Sequence, residues 1–302
     1  MNKSSETYRR RINRVIDYVN NNLEKTISLE ELASVAFFSP FHFHRIFLAV
    51  TGETVNYFTN RIRLEKTARL LKFSKHPISG IAMTCGFSSP PTFSRAFKQY
   101  FGISPSSYRN NGKIENSKIR KELFSLNEYL VTMSEEELKT SFPVEIRNLP
   151  QRRVAYIRVL DSYREGVVLN AFEDIIKWAK KMNLFYSEKI FGMSIDDPMV
   201  TPKEKYRYEV CITIPEKFTV DAGNYMETTI LPKCKYAVAT VSGNFNLVAT
   251  ATHYLFNNWL INSSFEPDHQ PGLEIFLDKE NICNWNHFDL ELCIPIKNIT
   301  TY

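Results

Sequence analysis

Residues 77–102 read PISGIAMTCGFSSPPTFSRAFKQYFG, and a related segment, TISLEELASVAFFSPFHFHRIFLAVTG, occupies residues 26–52. Ala33 and Phe38-Ser39 recur as Ala82 and Phe87-Ser88, at an offset of 49. After one inserted residue, Phe43, Arg45, Phe47 and Gly52 recur as Phe93, Arg95, Phe97 and Gly102, at an offset of 50. Each copy predicts a short helix, a tight turn and a second helix. In the first copy Ser28 precedes Glu31 at capping-box spacing, Pro40 suits a first helical turn, and Gly52 is placed to end the helix. Between the copies, VNYFTNRIRLEKTARLLKF offers Phe58, Ile62, Leu64, Ala68 and Leu71 for burial in a long helix. Ahead of them Ile12, Val15, Ile16, Val19 and Leu23 mark one face of another helix, beginning near Thr7.

Charge separates this region from the rest. The chain has 302 residues and a net charge of +5. Residues 1–112 carry 16 Lys/Arg against 7 Asp/Glu, and residues 113–302 carry 22 against 26. A basic helical third on a mildly acidic remainder points to a polyanion as the partner of the first part only. Two helix-turn-helix units on one chain suit the reading of two successive major grooves of double-stranded DNA. No apolar run is long enough for a membrane span, and MNKSSETYRRRINRVIDYVNNN lacks the apolar core of a secretion signal. Five cysteines, an odd number without a CxxC pair, suggest reduced thiols and a cytoplasmic protein.

The histidines of SPFHFHRIF, residues 39–47, raise the question of a metal. His42 and His44 are about 200° apart around a helix, so they cannot chelate one ion together; a helical pair would need i, i+4 spacing. Phe43 and Phe47 belong to the packed face, while Phe41, His44 and Arg45 project elsewhere. No cofactor is expected.

Residues 7–110 as a whole resemble the DNA-binding domain of the AraC/XylS transcription regulators. The most specific stretch is IAMTCGFSSPPTFSRAFKQYFGISPSSYR, Ile81–Arg109. The resemblance implies that Phe41, His44 and Arg45 face DNA from the first recognition helix, and Pro90, Pro91, Ser94 and Arg95 from the second. The paired prolines offer no hydrogen-bond donor, so the second helix is expected to read DNA through Arg95 and through shape.

Residues 111–142 read as a partly helical linker. Beyond it the period becomes that of strands, and a second duplication appears at an offset of 82. VEIRNLPQRRVAYIRV (144–159) aligns with METTILPKCKYAVATV (226–241), and Glu209 and Cys211 with Glu291 and Cys293. Each half predicts strand, strand, helix, strand, strand. The expected fold is multidomain: an all-α N-terminal domain and an α+β domain of two halves related by a pseudo-twofold axis. In FDLELCIPI, Phe288, Leu290, Leu292, Ile294 and Ile296 alternate toward the helices. Asp289, Glu291 and Cys293 face the other way, as Glu209 does in its own strand. A carboxylate among aromatics between two halves suits a cationic or polar ligand; one such glutamate alone reads as an ordinary exposed strand residue, and recurrence in both halves narrows that preference.

Residues 143–298 resemble the GyrI-like small-molecule-binding domain. The resemblance rests on RRVAYIRVLDSY, AFEDIIKWA, FGMSIDDPMVTPKEKYRYEVCITIP and DLELCIPI. It implies a groove for apolar, often cationic compounds, with Glu291 in the pocket. Strand parity puts Tyr156, Phe276 and Trp285 around it. The family's RHxGPY segment reads RVLDSY here, residues 158–163. The whole is expected to be a transcription regulator, an activator, whose partners are DNA, a small effector and RNA polymerase. Two alternatives concern the C-terminal domain: a module that grips a protein partner, and a hydrolase using Glu209, Glu291, Cys211 or Cys293.

Overall fold

A computed structural model describes residues 3–111, 126–197, 200–220 and 226–299. The chain divides into two compact units, residues 1–123 and 124–302.

The first unit is helical: α1 (Lys3–Asn21), α2 (Leu29–Val35), α3 (Pro40–Thr51), α4 (Val55–Phe73), α5 (Ile78–Thr84), α6 (Pro90–Phe101) and α7 (Pro105–Asn111). Its boundaries follow the capping chemistry. The Ser28 hydroxyl accepts from the Glu31 amide, but the expected box stays half-built because the Glu31 carboxylate accepts from Tyr18 instead. Ser39 and Ser89 cap α3 and α6, with proline in the first turn of each. Gly52 and Gly102 end these helices at φ 71° and 75°, a left-handed conformation that costs glycine little. Phe43, Phe47, Phe93 and Phe97 have no exposed surface, and the expected apolar faces of α1 and α4 are buried with them.

The second unit wraps helices α8 (Glu135–Ser141), α9 (Val167–Lys181) and α10 (Phe245–Tyr254) around one sheet of nine strands. In chain order these are β1 (Val144–Leu149), β2 (Arg152–Val159), β3 (Ile190–Ser194), β4 (Tyr208–Thr213), β5 (Glu227–Leu231), β6 (Cys234–Gly243), β7 (Phe265–Pro267), β8 (Gly272–Phe276) and β9 (Phe288–Asn298). The spatial order is β1-β6-β9-β8-β3-β4-β2-β5, with β7 paired to β9. Exchanging β1 with β5, β2 with β6, β3 with β8 and β4 with β9 reverses this order onto itself. The first strand of each half pairs in the other half, so the halves interlock through β1–β6 and β2–β5. Within residues 111–142, α8 carries a complete capping box between Ser134 and Glu137. The Val131 amide donates to Thr250 Oγ1 at 2.8 Å, and Tyr129 packs edge-on against Phe245, so this part of the stretch docks on α10.

The face of the sheet away from α9 and α10 carries its own apolar cluster. Val154, Tyr156, Phe191, Met193, Cys211, Val238, Leu273, Ile275 and Cys293 are all buried in it. Curvature is the reason. Arg152 on β2 lies within electrostatic reach of Tyr236 on β6, five places away in the strand order. A flat sheet would hold those strands about 24 Å apart; a curled one lets its concave face cover itself.

Candidate functional site

On α3, Phe41, His44 and Arg45 are exposed, and on α6 so are Pro90, Pro91, Ser94 and Arg95. From Phe41 to Val50 and from Pro91 to Tyr100 the sequence of buried and exposed positions is identical. Each second helix thus buries its i, i+4 pair, Phe43 and Phe47 or Phe93 and Phe97, and leaves the same set of positions outside. Phe41 is 69% exposed, and the Arg45 guanidinium lies 5.8 Å from its ring centroid. His42 is tied to the cap, with Nδ1 3.1 Å from Ser39 Oγ. Among the described residues no group of three His, Cys, Asp or Glu is arranged to hold a metal.

The repeated carboxylates lie on the concave face with Tyr156, as strand parity requires. Neither is left alone among aromatics, and this corrects the expectation for Glu291. Arg158 on β2 faces Glu209 across the β2–β4 pair, with Nε 2.7 Å from Oε1, and both side chains are buried. Arg147 Nη1 reaches Glu291 Oε1 at 2.6 Å from β1, which pairs with β6 beyond it. The two arginines are not equivalent under the 82-residue offset, which places Thr240 and Thr229 opposite them. Each repeated glutamate has its own arginine partner.

Phe276 is on the opposite face from Glu291. It pairs with Leu290 and packs edge-on against Phe172 of α9 at 5.1 Å. Trp285 lies between β8 and β9, 44% exposed, with its ring centroid 6.1 Å from that of Phe288. The structure does not bring these two to Glu291.

Phe276 belongs instead to a cluster that sequence reasoning missed, centred on Glu274 of β8. Tyr208 donates to Glu274 Oε2 at 2.5 Å and Ser194 to Oε1 at 3.2 Å. Phe172 lies 6.4 Å from Tyr208, and the Tyr206 and Tyr163 rings meet at a tilt, 5.1 Å between centroids. Glu274 keeps some accessible surface, yet burial raises its pKa, opposed by the two hydroxyl bonds. Among the described residues its hydrogen-bond partners are neutral hydroxyls, and no Lys or Arg pairs with it. Burial lifts the Tyr206 and Tyr208 hydroxyls well above the usual tyrosine pKa, so both stay neutral.

Two features of the chain build this cluster. Gly192 of β3 pairs with Glu274 in register, and a Cβ there would sit 1.6 Å from the Tyr208 hydroxyl. The missing side chain is the space through which Tyr208 reaches the carboxylate. Asp196 anchors the far end: its Oδ2 accepts from the Arg207 amide and from Arg207 Nε, each at 2.8 Å, which fixes the approach to Tyr208. The available signal in the sequence was Tyr206 and Tyr208, two apart at a strand entrance, matched against GLEIF, residues 272–276.

The thiols are poorly placed for catalysis. Burial pushes Cys293 up to about 12 and raises Cys211 well above the ordinary range, so neither is a thiolate at neutral pH. Ser242, His287 and Asp289 meet at the surface, but one nitrogen, His287 Nε2, faces both the serine and the aspartate. Ser242 donates directly to Asp289. A nucleophile–base–orienter relay needs both ring nitrogens.

Residues 142–297, just over half of the chain, match the family described as GyrI-like small molecule binding domain, and residues 32–111 match a helix-turn-helix domain. The chain is 32% identical over 118 residues to the multiple antibiotic resistance protein MarA of Escherichia coli, covering 39% of this chain and 91% of that one. It is 38% identical over 101 residues to the probable transcriptional regulator LumQ of Photobacterium leiognathi, covering 33% and 41%. It is 28% identical over 159 residues to the transcriptional regulator Rob of Salmonella typhimurium, covering 53% and 54%. The match thus spans about half the length of LumQ and of Rob, and nearly all of MarA. The chain belongs to the AraC/XylS transcription regulators, a DNA-binding helix-turn-helix unit followed by a GyrI-like small-molecule-binding domain.

Proposed function

We propose that the effector of this regulator is a small apolar compound with a positive charge or a hydrogen-bond donor, and that it binds at Glu274. One observation carries the reading: a desolvated carboxylate whose hydrogen-bond partners among the described residues are neutral hydroxyls, in the neighbourhood of the aromatic residues Tyr163, Phe172, Tyr206, Tyr208 and Phe276. A desolvated anion gains most from a partner that brings charge or a donor, and surrounding rings add cation–π attraction. Glu209 and Glu291 already have arginines, so a cation there would first displace one. In the DNA-binding unit, Phe41, His44 and Arg45 on α3 and Pro91, Ser94 and Arg95 on α6 are the proposed DNA-facing residues, supported by their exposure beside a fully packed core. Activation through contact with RNA polymerase belongs to the same proposal. Effector binding regulates only by favouring one state of the protein over another.

Equilibrium dialysis with a panel of lipophilic cations and neutral analogues of the same shape tests the effector class. Cations are expected to bind at least tenfold more tightly; equal affinity for each neutral twin overturns the reading. Duplex binding by the full chain should weaken steeply as salt rises, through counterion release.

A further inference from the structure

Between the two helix-turn-helix units lies a cluster of buried charge that packing alone does not require. Arg61 on α4 is 2% exposed, and Glu53 and Glu65 are 6% exposed each. Arg61 forks. Its Nη2 and Nε hold Glu53 at 2.6 and 3.2 Å, and its Nη1 holds both oxygens of Glu65 at 3.2 and 3.3 Å. Tyr100, in the last turn of α6, donates to Glu65 Oε1 at 3.3 Å. Glu53 directly follows Gly52, the residue that ends α3. One connected path of polar bonds therefore runs from the end of the first recognition helix, through α4, to the second.

We infer that Glu53, Arg61, Glu65 and Tyr100 are positioning residues that set the separation and rotation of the two recognition helices on DNA. The inference rests on residues 32–111 acting as the DNA-binding unit. The chain's own repeat shows that the charge is dispensable for ending such a helix: at an offset of 50, Ile103 stands where Glu53 does. Burying two carboxylates and a guanidinium is costly, and apolar residues of similar volume commonly serve stability as well or better. What directional bonds add over apolar packing is a single relative placement, the best-attested use of buried polar groups. Placement matters here because α4, 19 residues and about 28 Å long, joins two helices that must meet grooves about 34 Å apart on a duplex. A one-base-pair change in separation also turns the second groove by about a tenth of a revolution. The recognition residues Phe41, His44, Arg45, Ser94 and Arg95 are outside this cluster, so base preference and spacing preference should be separable.

The test is selection of duplexes from a random pool by the full-length chain, followed by sequencing and competition. Three proteins are compared: the parent, Tyr100→Phe, and the triple variant Glu53→Ile/Arg61→Met/Glu65→Leu. The parent is expected to select two sequence elements at one separation. Both variants should select the same elements with separations spread over several base pairs. For Tyr100→Phe, the preference for the best spacing over one shifted by a base pair should fall roughly 10-fold, the worth of one hydrogen bond to a charged group. A folded variant that keeps the parent's single separation and full preference overturns the inference, and Tyr100→Phe, which loses only a hydroxyl, decides it if the triple variant does not fold. Recovery of no duplex by any of the three would instead overturn the DNA-binding reading beneath it.

Discussion

Glu209 and Glu291 occupy matching positions of the duplicated half-domain, and each is neutralised by an arginine on the concave face. Glu274 lies on the other face of the same sheet, and the position 82 residues before it is Gly192. It is held by two hydroxyls and raised in pKa by burial. The repeated carboxylates are paired with arginines, and the unrepeated one is the carboxylate proposed to meet the ligand. A duplicated fold gives both halves the same scaffold needs, so what recurs tends to serve the scaffold. The proposed site breaks the equivalence of the two halves. Here it does so with a carboxylate on β8 and, on the paired β3, the absence of a side chain that makes room for Tyr208.

The contrast can be broken at several points. The largest effect is expected from Arg158→Ala, which strands the buried Glu209. Removing one partner of a buried pair costs roughly 3–5 kcal/mol. All three tryptophans, Trp178, Trp259 and Trp285, lie in the second unit, so denaturant unfolding followed by tryptophan fluorescence reads that unit alone. A loss below about 1 kcal/mol would mean that the pair behaves as a solvated one. Gly192→Ala comes next. Its methyl group collides with the Tyr208 hydroxyl, and overpacking of this kind costs about 1–3 kcal/mol. Ligand binding should be lost with it, whereas full binding by the variant would remove Tyr208 from the site.

Acidification separates the two faces without mutation. Burial raises the folded-state pKa of Glu274 above its unfolded value. Ionisation therefore opposes folding: this group's contribution is most favourable below the ordinary glutamate pKa and is lost as pH rises through the raised one. A bound cation prefers the ionised carboxylate, so cation affinity runs the other way. It should fall by up to about tenfold per pH unit below the raised pKa, while neutral ligands bind without that dependence; calorimetric titration across pH reads both. The smallest effect is expected from Arg147→Ala. Its ion pair with Glu291 is partly open to solvent, so the stability lost should be about 1 kcal/mol or less, with ligand affinity unchanged.

Much of the fold was legible because both duplications are written in short-range chemistry. Phenylalanines at i, i+4 in each recognition helix, serine caps with proline in the first turn, and closing glycines leave little choice of structure in residues 26–52 and 77–102. Alternation in FDLELCIPI placed Leu290, Leu292, Ile294 and Ile296 on the helix side, where they are buried. The exchange of β1 and β5 between halves was not legible, because strand pairing is decided by tertiary contacts that leave no period in the chain. The ion pairs were hidden for the same reason: Arg147 lies 144 residues from Glu291, and Arg158 lies 51 from Glu209. Phe276 was expected beside Glu291 but lies on the opposite face, against Phe172, because parity within one strand does not show which face a residue of another strand shares. Glu274 escaped because its partners Tyr208 and Ser194 come from other strands, 66 and 80 residues away, and because a search for repeats passes over a residue whose counterpart is glycine.

The central claim is that the ligand carboxylate is Glu274 and not Glu291. Titrating one lipophilic cation by calorimetry into the parent, Glu274→Gln and Glu291→Gln tests it most directly, since each substitution keeps the side chain's shape and removes its charge. Glu274→Gln is expected to lose roughly 1–3 kcal/mol of cation affinity, and Glu291→Gln to bind as the parent does. The reverse pattern, with affinity lost in Glu291→Gln and retained in Glu274→Gln, would contradict the account and place the ligand on the concave face of the sheet.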